Sequence, residues 1–339
     1  MRQITTLGID TAKQVFQLHG VDAQGNVVLH KRVTRKQVLP LLAQLPPCLV
    51  GLEACGGSHY WAREITKLGH TVKLMAPQAV KPYVQGNKTD GRDAEGICEA
   101  ASRPRVRAVA INSTADQDLQ TLHRIREQCV KMRTALANQL RGLLGEYGLV
   151  VPQGIGRIRQ AIPLIVEDAD NGLSALCREW LWDVYQRVCT LDAEITRYNA
   201  RIAQLADQSE VCRRLTRVEG VGPLTVTAFV AAVHDPRAFK NGRHCAAWLG
   251  LVPTQHGTGG KTVLGGMSKR GNQYLRRLLL HGAMAVIRRV DGKKDARSVW
   301  LQQLRARRGT QVAAVALANK NARILWAFLA TGDSYRQAA

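Results

Sequence analysis

The chain has 339 residues, of which 48 are Lys or Arg and 26 are Asp or Glu, so its formal net charge is +22. This length predicts two or three domains, and the charge indicates a polyanionic partner, most commonly nucleic acid. The sequence contains no apolar run near the roughly 18–20 residues of a membrane span, no signal-peptide core and no C-x-x-C pair among its eight cysteines. We therefore expect a cytoplasmic protein with reduced cysteines and without membrane contact.

The positive charge is concentrated towards the C-terminal end. Residues 240–339 contain 18 Lys or Arg and three Asp, which gives a net charge of +15. Lys and Arg neutralise phosphates and make binding dependent on salt without selecting a sequence. The acidic side chains that are candidates for chemistry lie nearer the N-terminus. The sequence therefore predicts catalysis by acidic residues in the N-terminal part and a polyanion-binding region in the C-terminal part.

The first eighty residues alternate between apolar runs and helical segments in the manner of an α/β domain. Three strands joined by short turns come first, followed by a helix, a fourth strand, a second helix and a fifth strand. This order is expected of a ribonuclease-H-like mixed sheet. The predicted strands are 4–9, 15–19, 26–32, 48–52 and 71–75, and the predicted helices are 35–44 and 60–68.

Two long helical stretches follow. Apolar residues recur three or four positions apart over 116–144 and again over 173–205. In the second stretch this spacing is that of a coiled coil of about three to four heptads. The pattern fits an ordinary bundle helix, and it also fits an arm that dimerises or separates the two ends of the molecule.

The C-terminal region opens with a glycine-rich turn that contains Gly220 and Gly222. This turn and the apolar helix after it resemble a helix-hairpin-helix, in which backbone N–H groups approach a phosphate at a helix N-terminus. A plain tight turn between helices has the same pattern. The sequence then predicts a glycine-rich loop over 257–266, a basic helix from about Asn272 and a basic stretch over 288–308.

Four acidic residues stand at positions that favour catalysis. Asp10 ends the first predicted strand and Glu53 ends the fourth. Asp90 and Asp93 begin a predicted helix, and their spacing of three places both on one helix face. Because neighbouring strand ends and a nearby helix face can meet, we expect these four carboxylates to converge.

Such a cluster suits the cleavage or transfer of a phosphodiester with divalent cations. This chemistry needs oxygen ligands and enough negative charge to retain the ions, and carboxylates are the ligands that Mg²⁺ prefers. Each acid alone has an ordinary explanation as a turn cap, an exposed strand end or a charge at a helix N-terminus. Together they predict a Mg²⁺ site formed by Asp10, Glu53, Asp90 and Asp93.

Five motifs carry a resemblance to a known family. They are 8–13, 52–56 and 87–94, which hold the four acids, and 247–253 and 266–277 in the C-terminal region. In these motifs the sequence resembles the DEDD transposases of the insertion sequence 110 family. The Gln255-His256 segment and the short Gly-Gly-Lys run after it are most similar to the insertion sequence 1111 subgroup.

The resemblance implies a RuvC-like domain over 1–148, a helical coiled-coil segment over 149–209 and a C-terminal basic transposase domain over 210–339. Members of this family excise and insert a mobile element at a defined DNA target. They act as oligomers and are guided by a non-coding bridge RNA. The implied partners of this chain are double-stranded donor and target DNA, a bridge RNA and further copies of the chain in a dimer or tetramer.

The resemblance also implies a hydroxyl nucleophile in the C-terminal domain that forms a covalent 5′-phosphodiester link to DNA. The family has a serine in the loop after Pro253, just before a glycine, and Thr258 occupies that position here. Ser268 is the competing hydroxyl, and it is also a candidate helix N-cap. If this segment is an ordinary loop, or if this copy of the protein is inactive, neither hydroxyl acts as a nucleophile.

The same region supplies the predicted contacts to nucleic acid. If an RNA reads the target by base pairing, the protein needs contacts to the nucleic-acid backbone and a surface of matching shape more than contacts to base edges. A solvated helix face is the simple alternative for the cations. The predicted nucleic-acid-binding residues are Gly220, Gly222, Lys261, Lys269, Arg270, Arg276 and Arg277.

Two other functions fit the residues without the full resemblance. A RuvC-like nuclease selective for DNA structure would use water as its nucleophile and would need only the four carboxylates. A non-catalytic protein that bridges nucleic acids would use only the glycine-rich turn and the coiled coil. Covalent attachment to DNA distinguishes the recombinase from the nuclease, and full activity of Asp10→Ala in Mg²⁺ would favour the bridging protein.

Overall fold

Residues 3–86 and 89–332 are described by the computed structural model of the protein, so Asn87 and Lys88 of the third acidic motif lie outside the described residues. The chain forms two units that divide between Ser113 and Thr114. The sequence predicts boundaries at 148/149 and 209/210 instead. The long helix that begins at Thr114 belongs to the second unit, and the three-segment division stays a prediction.

The first unit is built on a five-stranded mixed sheet. Its strands are β1 (Thr6–Thr11), β2 (Val15–Val21), β3 (Val27–Thr34), β4 (Leu49–Glu53) and β5 (Thr71–Met75). Their order is β3-β2-β1-β4-β5, in which β1–β2 and β2–β3 pair antiparallel whereas β1–β4 and β4–β5 pair parallel. The five predicted strands are confirmed, and the mixed sheet is consistent with a RuvC-like transposase fold.

Helices cover both faces of this sheet. They are α1 (Val38–Ala43), α2 (Ser58–Lys67), α3 (Pro77–Val80) and α4 (Asp90–Ser102). Alternate side chains of the strands point to one face, where Ile9, Leu18 and Leu52 are buried in an apolar core with Trp61 of α2. Helix α4 contacts β1, β2 and β4. Because both faces are covered, β1 and β4 are apolar over most of their length.

The second unit is helical apart from one β-hairpin over its described residues 114–332. Its helices are α5 (Thr114–Gly145), α6 (Ile155–Glu167), α7 (Ala175–Gln208), α8 (Glu210–Leu215), α9 (Pro223–Val233), α10 (Gly242–Trp248), α11 (Gln273–Ile287), α12 (Ala296–Arg308) and α13 (Thr310–Thr331). The hairpin strands are β6 (Pro253–Thr258) and β7 (Lys261–Met267). The sequence predicts a loop over 257–266, and the hairpin is a correction to that prediction.

The two longest helices, α5 and α7, pack against each other within the chain. Arg126 Nε donates to Asn199 Oδ1 at 2.5 Å, and Arg133 Nη1 is 2.5 Å from Asp192 Oδ1. The partner number falls as the number on α5 rises, so the helices are antiparallel. Leu191 and Ile195 of the apolar stripe of α7 pack against Cys129 of α5 inside the chain, and dimerisation through α7 stays a prediction.

Helix α13 is the apolar centre of the C-terminal part of the second unit. It is 22 residues long and, by length and composition alone, apolar enough to cross a membrane. Core helices pass the same test, and Ala313, Leu317 and Leu325 of α13 are fully buried in the protein core. Its contacts with α10, α11 and α12 show that it serves here as a core helix.

Candidate active site

A pair of glycines in neighbouring strands determines where α4 lies on the sheet. Gly8 of β1 stands beside Gly51 of β4 in the parallel register. A Cβ at Gly8 would overlap the Ala94 carbonyl oxygen and lie 2.8 Å from Cys98 Cα, and one at Gly51 would lie 2.7 Å from Ala101 Cβ. The absence of side chains at both positions therefore lets the backbone of α4 lie directly on β1 and β4.

The same geometry directs two acidic side chains to the α4 side. Asp10 and Glu53 each stand two residues after one of these glycines, and side chains two apart on a strand share a face. The parallel pairing runs from Thr6–Leu49 to Ile9–Leu52, so Asp10 and Glu53 are next in register. Both acids therefore follow the point where α4 crosses the sheet.

Helix α4 begins at this edge with the other two acids. The Thr89 hydroxyl caps the helix by accepting a hydrogen bond from the Arg92 backbone N–H. Asp90 and Asp93 then fall in the first turn, where the helix dipole favours negative charge. One carboxylate oxygen from each of Asp10, Asp90 and Asp93 lies within 4.8 Å of the others.

Three of the four predicted acids thus converge in the first unit, and Glu53 lies outside this 4.8 Å group. Asp10 and Asp93 are half-buried and Asp90 is exposed. Three carboxylates this close repel one another, and oxygen donors of this kind are what Mg²⁺ or Mn²⁺ takes. The arrangement therefore fits a divalent cation, in agreement with the family to which the motifs point.

The predicted nucleophile lies at the tip of the hairpin in the second unit. Thr258 is the last residue of β6 and pairs with Lys261 across a two-residue turn. Gly259 and Gly260 of this turn have φ of +56° and +78°, which glycine adopts without strain and which hairpin turns of this length require. Thr258 is exposed, so its hydroxyl is accessible to a large substrate.

Ser268 has a different environment. It follows β7, is half-buried, and its backbone N–H donates to the Val252 carbonyl at 2.8 Å. The N-cap of the next helix is Asn272, whose side chain accepts from the Leu275 N–H at 3.1 Å. The alternative that Ser268 is an N-cap is therefore wrong, because α11 begins four residues later than that reading requires.

The glycine-rich turn between α8 and α9 is a packing site. Gly220 has φ of +81°, and a Cβ there would lie 2.9 Å from the Gly282 carbonyl oxygen of α11. Gly222 is the N-cap of α9, and a Cβ there would meet nothing within 4 Å. Close packing on α11 explains why residue 220 is a glycine. The space beside Gly222 is open, and the predicted contact of Gly222 with phosphate stays a proposal.

The predicted phosphate-binding cations occupy unlike positions. Arg276 is buried and donates from Nη1 to the carbonyl oxygens of Leu249 at 3.0 Å and Arg270 at 2.8 Å. It therefore stabilises the bend before α11, in place of the predicted contact with phosphate. Arg277 is paired with Glu127 at 2.9 Å. Lys261, Lys269 and Arg270 are exposed, as a phosphate contact requires.

A cavity beside the base of the hairpin was not predicted from the sequence. Its volume is about 1210 Å³, and α10, α12 and α13 contribute the exposed cations Arg243, Arg308, Lys320 and Arg323 to its lining. Lys320 Nζ lies 4.8 Å from the centre of the Trp300 ring. Among the described residues that line this cavity none is acidic. These four cations lie on three different helices, so they do not form a short sequence motif. Only the folded structure shows that they converge.

Comparisons with known proteins agree with this architecture. A family model described as the IS116/IS110/IS902 transposase family matches residues 212–299, and a second, for DEDD transposases of IS110 type, matches residues 7–149. The second match covers the three converging aspartates and Glu53.

Whole-length relatives give the same result. A probable family 20 transposase of Pseudomonas aeruginosa is 50% identical over 98% of this chain and 99% of its own. The transposase of insertion sequence IS1111A from Coxiella burnetii is 44% identical, over 99% of this chain and 92% of its own. That of IS1328 from Yersinia enterocolitica is 36% identical over 99% of both chains. The chain therefore belongs to the IS110 family of DEDD transposases, enzymes that cleave and rejoin DNA.

Proposed function

We propose that this transposase excises and inserts its own mobile element through a covalent link between Thr258 and a DNA 5′-phosphate. The observation that carries the proposal is the convergence of Asp10, Asp90 and Asp93 within 4.8 Å at the sheet edge. With Glu53 next in register to Asp10, these residues would hold Mg²⁺, which when bound supplies positive charge to a scissile phosphate.

The covalent step needs only groups of the chain, the DNA and water. The Thr258 hydroxyl loses its proton to a base as its oxygen attacks the phosphorus, so that an Oγ1–P bond forms while the bond from phosphorus to the 3′-oxygen breaks. The 3′-oxygen leaves with a proton from water, and the 5′-phosphate stays on the protein. A second 3′-hydroxyl then attacks this phosphate and gives up its proton, a new P–O3′ bond forms, and the Oγ1–P bond breaks while Thr258 regains a proton. The energy of the first broken phosphodiester bond is thereby retained for rejoining.

The proposed partners follow from charge and from the family. The exposed cations Lys261, Lys269 and Arg270, together with those of the cavity, would bind DNA and RNA backbones. A bridge RNA would then read donor and target sequences by base pairing, so that the protein itself reads shape. Assembly of two or four copies would bring both DNAs together in the bacterial cytoplasm.

The decisive experiment is the capture of a protein–DNA adduct. Purified protein with Mg²⁺, RNA from the element's non-coding end and a plasmid carrying the complete element should give an adduct that survives detergent. Thr258→Ala should abolish the adduct, and Ser268→Ala should leave it unchanged. An adduct that persists in Thr258→Ala would exclude Thr258, and DNA cleavage without any adduct would favour a nuclease that uses water.

Two further readouts test the remaining parts. Asp10→Ala should abolish cleavage in Mg²⁺, whereas full activity of this variant would exclude the carboxylate site and favour a bridging protein without catalysis. RNA that copurifies with the protein should be one defined species encoded beside its gene. A random mixture of cellular RNA would contradict guidance.

A further inference from the structure

The register of the hairpin determines which side chains stand beside Thr258. Thr258 pairs with Lys261, Gly257 with Thr262, and His256 with Val263. Side chains alternate between the two faces of a strand, so Thr258, Lys261 and His256 share one face. Gly257 and Thr262 lie on the other face, where a Cβ at Gly257 would lie 3.9 Å from Thr262 Oγ1.

The spacing on this face suits proton transfer. Residues opposite each other have Cβ atoms about 5 Å apart, and residues two apart on one strand are about 6.7 Å apart. An imidazole two positions from a hydroxyl reaches it directly or through one water. The ammonium of Lys261 reaches the same region from the opposite strand on a flexible stem.

Neither His256 nor Lys261 is buried in the hairpin. Gln255, His256, Thr258, Lys261 and Thr262 are all exposed. The turn is formed by Gly259 and Gly260, and the strands are held by backbone pairing. The segment 253–267 contains no acidic residue that would pair with the imidazole or the ammonium. Both groups are therefore presented outward together with the hydroxyl.

We propose that His256 is the general base that activates Thr258 and that Lys261 binds the phosphate under attack. The proposal rests on the proposed function, because it takes Thr258 as the nucleophile. A threonine hydroxyl is a weak nucleophile until a base removes its proton, and an adjacent cation stabilises the charge that develops on the phosphate oxygens.

The proton and the bonds balance in both directions. His256 takes the proton from Thr258 Oγ1 as the Oγ1–P bond forms, and the P–O3′ bond breaks while water protonates the leaving 3′-oxygen. In the rejoining step a 3′-hydroxyl attacks the same phosphorus and gives its proton to water. The Oγ1–P bond then breaks, and protonated His256 returns its proton to Thr258. Lys261 takes no part in these proton transfers.

The test measures the rate of adduct formation with the plasmid, RNA and Mg²⁺ of the capture experiment. His256→Ala should slow the adduct about 100-fold and remove the part of the pH–rate profile in which activity falls as the histidine is protonated. Lys261→Ala should slow it about 10- to 100-fold, and Lys261→Arg should restore most of the rate. Gln255→Ala and Thr262→Ala, on the opposite face, are the matched controls and should stay within about twofold.

The outcomes separate this inference from the function on which it rests. If Thr258→Ala abolishes the adduct while His256→Ala keeps both the rate and the pH profile of the unchanged protein, the base assignment is overturned and Thr258 stands. If the adduct persists in Thr258→Ala, Thr258 is not the nucleophile. The assignment of His256 and Lys261 is then wrong as well. Equal losses of adduct rate in the variants on both faces would show that these residues maintain the shape of the hairpin. This result would also overturn the assignment of His256 and Lys261.

Discussion

His123 joins three helices of the second unit through both of its ring nitrogens. Nε2 lies 3.0 Å from Thr227 Oγ1 on α9, and Nδ1 lies 2.9 Å from the Tyr274 hydroxyl on α11. Thr227 donates its own hydrogen to the Pro223 carbonyl, so it accepts from Nε2–H. Nδ1 therefore accepts from Tyr274, whose pKa is raised by burial. The network needs a neutral imidazole.

This network predicts a loss of stability in acid. Burial, and then the charge of Arg126, lower the pKa of His123 from 6.5 to about 4. Between these values the unfolded chain binds the proton and the folded chain does not, so stability is complete above pH 6.5 and falls towards pH 4. The expected loss is about 3 kcal/mol at most. Denaturant unfolding of His123→Gln should show a weaker pH dependence over this window, whereas His281→Ala, an exposed control, should behave like the unchanged protein.

The carboxylate cluster should make the stability of the first unit depend on Mg²⁺. Because Asp10, Asp90 and Asp93 lie within 4.8 Å of one another, Mg²⁺ should raise the free energy of unfolding of the first unit by about 1–3 kcal/mol at concentrations of 10 to 100 times its dissociation constant. Asp93→Asn should abolish this gain, and Glu53→Gln should reduce it less. Calorimetry with and without Mg²⁺ measures both, with Glu146→Gln as control. An undiminished gain in Asp93→Asn would contradict the site.

At the scale of elements, the site depends on how closely α4 lies on the sheet. The sequence predicts Asp10 and Glu53 at strand ends and Asp90 and Asp93 on one helix face, and the structure brings three of these four together. What the sequence does not reveal is why the helix lies there. Gly8 and Gly51 read as ordinary strand residues until the parallel register places them side by side.

Addition of a single methyl group at Gly8 should therefore displace α4. The new Cβ of Gly8→Ala would overlap the backbone of Ala94 and Cys98, which cannot move without the helix. We expect a loss of about 1–3 kcal/mol in the free energy of unfolding and a large loss of excision, since Asp90 and Asp93 move with α4. Gly56→Ala is the control, because a Cβ there meets nothing within 4 Å. Full excision by Gly8→Ala would show that the cluster tolerates the shift.

Some elements were predictable and one was not, for a physical reason. Strands β1 and β4 bury consecutive apolar residues, and β2 buries most of its length, so their apolar runs are visible in the sequence. The hairpin β6–β7 is almost wholly exposed and carries Val263 and Leu264 at 65% and 63% exposure. No apolar alternation marks strands that bury neither face, so the glycines alone were visible and indicated a loop.

At the scale of the whole molecule, the net charge of +22 identifies the class of partner but not the residues that bind it. Arg276 belongs to the basic helix that the sequence predicts, and yet its guanidinium is buried against carbonyl groups. Conversely, the cavity cations Lys320 and Arg323 come from α13, whose composition is apolar. Tertiary packing decides which cations face outward, and the composition of a segment does not show which ones these are.

The cavity cations give a prediction for the complete protein. If Arg308, Lys320 and Arg323 contact phosphates, their joint replacement by Gln should lower the slope of log affinity against log salt by about 2–3 and weaken binding to all DNA sequences alike. Joint replacement of Lys31, Arg32 and Lys36 of the first unit removes the same charge and should change the slope by less than about one. Fluorescence titration of duplex DNA over a range of salt concentrations measures both slopes. Equal changes in the two triple variants would mean that net charge alone governs binding, and that the cavity is not a phosphate-binding groove.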